Sequence, residues 1–90
     1  MYLHLGQDVV VPKDSIIGIF DLDNATSSQI TREFLNRAEK AGDIINIADD
    51  IPKSFIVCRD RDLNKTTIYL SQLASATLLR RSEGGPFSLS

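Results

Sequence analysis

The chain has 90 residues, 10 Lys+Arg against 12 Asp+Glu, a formal net charge of −2 and 42% hydrophobic residues. That length holds one domain with a modest core, and the slightly acidic balance lacks the basic footprint of an ordinary nucleic-acid-binding domain. No apolar run approaches the roughly 20 residues of a membrane span, so no membrane partner is expected.

Met1 leads directly into a strand-like segment with no basic region or apolar leader core. The single cysteine, Cys58, has no internal disulfide partner. A cytoplasmic location is therefore expected. Small size with high apolar content also favours oligomerisation.

Tyr2–Leu5 reads as a short strand and Gly6-Gln7-Asp8 as a turn. Val9–Val11 and Ile16–Phe20 are short β-branched runs between turn formers and read as strands. Pro12 ends the first run because it lacks a ladder donor. Gly18 inside the second marks a bulge or a close approach. The three pieces are expected to form one meander.

Thr26-Ser27-Ser28-Gln29 fits a capping box, with Thr26 as N-cap and Gln29 at N3. The helix is expected to run to about Ala41. Ile30, Phe34, Leu35, Ala38 and Ala41 make its apolar stripe, and Gly42 is its αL stop. Short strands follow at Ile44–Ile47, Lys53–Cys58 and Thr66–Leu70. Arg59–Lys65 reads as a hairpin loop of alternating charge. Ser75–Arg81 reads as a C-terminal helix with Ser75 as N-cap.

The sequence predicts an α+β fold: a small antiparallel sheet, formed by the N-terminal strands and the Ser54–Leu70 hairpin, packed on one main helix, plus a short C-terminal helix. Residues 1–81 form the domain, and 82–90 are expected to be a flexible tail. The expected core or interface is Leu5, Val9, Val11, Ile17, Ile19, Phe34, Leu35, Ala38, Ile45, Ile56, Val57, Ile68 and Leu70.

Chemistry is sparse. His4 has no nucleophile or carboxylate that the sequence places beside it. Cys58 reads as a buried structural thiol. Asp21, Asp23 and Asn24 read as strand exit and helix capping, since no further calcium-loop ligands follow in register. No catalytic residue, metal site or cofactor is expected, and the chain is not expected to be an enzyme. Arg59, Arg61 and Lys65 are either a solvated loop or a phosphate-facing rim. The interleaved Asp60 and Asp62 cancel much of their field. Lys53 and Arg80-Arg81 are further cations.

The run Tyr2-Leu3-His4-Leu5-Gly6-Gln7-Asp8-Val9-Val10-Val11-Pro12, with Ile16-Ile17-Gly18-Ile19-Phe20-Asp21, resembles the small bacterial extracellular-matrix regulatory proteins of the RemA/RemB family, the RemB branch in particular. Phe34–Gly42 with the following strand, and Ile68–Ser71 with Ser75–Arg81, are similar to both branches. The resemblance implies a cytoplasmic regulator of biofilm-matrix gene expression. Its partners would be itself, in a ring or other cyclic oligomer, duplex DNA, and a homologous regulatory protein. RemA carries an arginine where this chain has Asp14-Ser15, and adjacent arginines where it has Asp49-Asp50-Ile51-Pro52-Lys53. Each missing cation removes one counterion-release term. The DNA-binding candidates that remain are Lys53, Arg59, Arg61 and Lys65. The alternative is a self-assembling protein–protein module that does not touch DNA.

Overall fold

Gln7 and Asp8 hold positive φ angles of 51° and 63°, the backbone that a two-residue hairpin turn of primed type requires. They join β1 (Tyr2–Gly6) to β2 (Val9–Pro12) as an antiparallel hairpin with a register shift between His4 and Gly6. The computed structural model describes residues 1–25 and 27–83.

Pro12 ends β2, and a 3₁₀ turn (Lys13–Ser15) redirects the chain into β3 (Ile16–Asp21). The expected meander stops here. β1 and β2 form their own two-stranded sheet, whereas β3 pairs with β5 (Ser54–Asp60) in a four-stranded sheet of order β3-β5-β6-β4. The turn swings the chain from one layer into the other. The second sheet is antiparallel except at its edge, where β4 (Ile44–Asn46) runs parallel to β6 (Lys65–Ser71).

A short helix α1 (Leu22–Ala25) follows β3; Asp21 Oδ1 accepts from the N–H groups of Asp23 and Asn24 at 2.9 and 3.2 Å. The main helix α2 spans Gln29–Lys40, and its N-cap is Ser28, whose Oγ accepts from Thr31 N–H at 3.4 Å. The N-cap expected at Thr26 therefore shifts two residues on, to Ser28, and Thr26 itself lies outside the described residues. Gln29 does not reach back to a cap; its amide donates to Glu33 Oε2 at 3.2 Å. The helix ends as expected. Gly42 takes φ 77°, Gly42 N–H donates to Glu39 C=O, and Asp43 N–H donates to Ala38 C=O at 2.9 Å, the two bonds of a Schellman motif.

The last helix, α3, spans Ser75–Glu83. Leu78 N–H donates to Ala74 C=O at 3.1 Å, so Ala74 rather than Ser75 sits at the cap. Helix also extends two residues past the expected domain end, and the rest of the expected tail, 84–90, lies outside the described residues.

The fold is α+β in three layers. β5 is buried on both faces from Ser54 to Cys58. On one face Phe55, Val57 and Ile68 meet Ala38, Phe34 and Leu35 of α2. On the other, Ile56 and Cys58 meet Leu3, Leu5 and Val11 of the hairpin and Leu78 of α3. Leu3, Phe55 and Cys58 join the expected core, whereas Ile17 and Ile45 are 62% and 45% exposed. Two serines are fully buried at the seam between layers. Ser54 Oγ donates to Leu73 C=O at 2.8 Å, and Ser71 Oγ donates to Leu5 C=O at 2.7 Å and accepts from Leu73 N–H at 3.0 Å.

Candidate functional site

The cationic candidates converge less than the sequence suggests. The β5–β6 ladder zips through Arg59↔Thr66 to Asp60↔Lys65, so Arg59, Asp60 and Lys65 belong to strands and the loop shrinks to residues 61–64. Opposite charges on Asp60 and Lys65 favour that last pair. The turn is built by Asp60 Oδ1, which accepts from Asp62 and Leu63 N–H at 2.9 and 3.2 Å, and by Asn64 at φ 50°.

Side chains alternate across a strand. Arg59 therefore shares a face with Val57, on the α2 side, while Asp60 and Lys65 share the opposite face with Cys58. Arg59 is also committed: its guanidinium donates to Thr66 Oγ1 at 2.9 Å and to Asn64 Oδ1. Arg61 stands exposed in the loop between Asp60 and Asp62. Lys53 precedes the other end of β5, about 20 Å away at ~3.3 Å per residue. Its N–H and C=O close the sheet end through Ser71 C=O and Leu22 N–H. Lys53 thus stands apart, and Arg61 is the cation the tip presents most freely.

A groove of about 420 Å³ runs between this tip and the 3₁₀ turn, walled by Pro12, Asp14 and Arg61 and floored by Cys58, Thr67 and Tyr69. Burial pushes the Cys58 thiol above its ordinary range, and a hydrogen bond with Ser15 offsets this only in part. Burial, together with the nearby Cys58, likewise raises Tyr69. Both groups stay protonated at neutral pH, so the floor offers neutral donors and no thiolate nucleophile. His4 is exposed on the outer face of the hairpin, opposite Val10. No group of three or more His, Cys, Asp or Glu among the described residues is placed to hold a metal ion. Among the described residues no helix is long and apolar enough to cross a membrane.

A second cationic grouping was hidden by sequence distance. Lys13 Nζ donates to Ser82 C=O at 3.3 Å, tying the 3₁₀ turn to the last turn of α3, which carries Arg80 and Arg81 exposed. Positive charge there complements the helix C-terminus. Only the Pro12 stop, which turns the chain at Lys13, hinted at it in the sequence.

Comparison with known proteins places this geometry. The RemA-like family, described as extracellular matrix regulatory protein A-like, matches residues 2–81. The chain belongs to the RemA-like family. Within it, the chain is 37% identical over 83 residues to extracellular matrix regulatory protein B of Bacillus subtilis (strain 168), spanning 92% of this chain and 91% of that relative. It is a RemB-like member. The RemA-like match ends at residue 81, within α3, so it takes in both sheets and all but the last two residues of that helix.

Proposed function

We propose that the chain is a bacterial cytoplasmic regulator of extracellular-matrix gene expression that acts as a closed homo-oligomer and touches duplex DNA through repeated weak cationic sites. The observation that carries this reading is the 37% identity, across both sheets, to a protein named extracellular matrix regulatory protein B. The site chemistry fits weak, repeated contact. Arg61 at each tip, with Lys65 behind it, offers one or two phosphate contacts per copy, and several copies in one body gain avidity without a strong single site. Enzymatic activity has no place in the reading, which needs neither cofactor nor metal.

A second reading is a protein–protein module that works without DNA, on itself or on a homologous regulatory protein. The interleaving of Asp60 and Asp62 with Arg61 favours it, because it leaves the tip little net positive charge.

Titration of labelled duplex DNA at several salt concentrations, with oligomer mass recorded in the same buffers, separates the two. Binding that weakens steeply with salt supports the first reading. An intact oligomer that leaves the duplex unbound even at low salt overturns the DNA contact and leaves the second.

A further inference from the structure

The four-stranded sheet has two edges, and they differ. β4 is three residues long, and Asn46 Oδ1 closes its end by accepting from Ala48 N–H at 2.9 Å. β3 is six residues long and, among the described residues, pairs only with β5. Ile16 N–H is held by Lys13 C=O. From Ile17 to Phe20, among the described residues, no backbone group bonds to anything but β5.

Natural sheets blunt such an edge with Lys, Pro, inward charge, a bulge or a covering helix; α3 packs beside β3 but leaves Ile17 and Phe20 exposed. β3 has no Lys or Pro and no charge before Asp21. Its one bulge lies at the start, where the register shifts between Ile16 and Gly18. Beyond it the ladder from Gly18 to Asp21 is regular. Ile17 and Phe20 flank the edge and are 62% and 42% exposed. An unpaired row of donors and acceptors bordered by exposed apolar side chains is a template for another strand.

We propose that the β3 edge pairs antiparallel with β3 of a second copy of this chain about a two-fold axis, joining two four-stranded sheets into one of eight strands. Charge is what selects a second copy. A two-fold axis brings equivalent groups together, and residues 15–20 carry no charge to repel one another across it. Antiparallel pairing carries the two Asp21 carboxylates to opposite ends of the seam. With the axis beside Ile19, each Phe20 lies opposite the partner's Gly18, over which the partner's own Phe20 ring lies, so the two rings meet across the seam. One pairing of this kind closes the long edge of both copies at once.

This inference rests on the self-assembly in the reading above and names one of its interfaces. The test uses the full chain. Sedimentation gives the mass of the wild type, of Ile17→Glu, which sets a carboxylate opposite the partner's Asp21 in this register, and of Ile30→Glu, a control 78% exposed on α2. Hydrogen exchange of the Ile17–Phe20 amides is followed at a concentration where the chain is assembled and at one where it is monomeric. The expected result is an even number of copies, a mass at least halved by Ile17→Glu and unchanged by Ile30→Glu, and slowing of the outward amides by tenfold or more on assembly. Exchange decides, because it needs no variant. Outward amides equally fast in both states overturn the β3 seam and leave assembly standing. A wild type that is monomeric at every concentration overturns assembly and seam together.

Discussion

Phe20 lies over Gly18. A Cβ built on Gly18 would stand 2.6 Å from both Cε2 and Cζ of the Phe20 ring, which itself stacks on Phe55 with centroids 5.0 Å apart. The glycine is needed for close approach, since its φ is not in the left-handed region. Gly18→Ala drives the ring off its seat and disturbs the stack above Phe55, one of the buried residues of the α2-side core. The expected cost is about 1–3 kcal/mol, as for overpacking, read as a lower urea midpoint with unchanged slope.

Ser71 ties three segments with one hydroxyl. Removing it in Ser71→Ala leaves Leu5 C=O and Leu73 N–H without that partner in a buried seam. Stranded buried groups cost about 1–3 kcal/mol. Amide exchange in β1 and β2 should accelerate more than in β5, because the hairpin loses its link to β6 whereas the β5 ladder does not.

The Cys58 thiol is held protonated by burial above its ordinary pKa of 9.0. Below that value folded and unfolded chains both keep the proton, and the stabilisation is fully present. As pH rises past it, the unfolded chain ionises first and binds fewer protons than the folded one, so stability falls until the folded thiol titrates too. The urea midpoint should therefore drop above about pH 9 by more in wild type than in Cys58→Ala. Thiol-reactive dye should label the native protein slowly at pH 7.

Arg61 and Arg59 should separate under mutation. Arg61→Ala should weaken duplex binding and flatten the salt dependence by roughly one contact per copy engaged, with thermal stability unchanged. Arg59→Ala should also lower the melting temperature, because its guanidinium holds Thr66 and Asn64. Lys53→Ala, at the far end of β5, should leave DNA affinity as it is. Full affinity in a charge-reversed Arg59/Arg61 variant would move attention to Lys13, Arg80 and Arg81.

Local signals in the sequence translated well. Gly42 gave the α2 stop, the β-branched runs gave β3 and β5, and Phe34, Leu35 and Ala38 gave the face of α2 that meets the sheet. Layering was not legible, because nothing in Val9–Phe20 says whether the turn after Pro12 keeps one sheet or begins another. Ile56 and Val57 read as strand residues, yet only the placement of β5 in the middle of three layers explains why both faces are apolar. The tip was misjudged for a related reason. Alternating charge from Arg59 to Lys65 looks like loop, but ladder pairing continues through it and splits Arg59 and Lys65 onto opposite faces. Lys13 and Ser82 stand 69 positions apart in the chain, and only the tertiary fold brings them together.

Among the described residues, two side-chain hydrogen bonds join the N-terminal hairpin and turn to the C-terminal segment: Ser71 Oγ to Leu5 C=O and Lys13 Nζ to Ser82 C=O. As the chain leaves the ribosome, the β1–β2 hairpin emerges first, with Leu3, Leu5 and Val11 bared along one side. It finds no cover until β5, β6 and finally Leu78 have followed. The hairpin-side core is thus the last of the two to close, and the nascent chain keeps that apolar ribbon open to neighbours until α3 has followed.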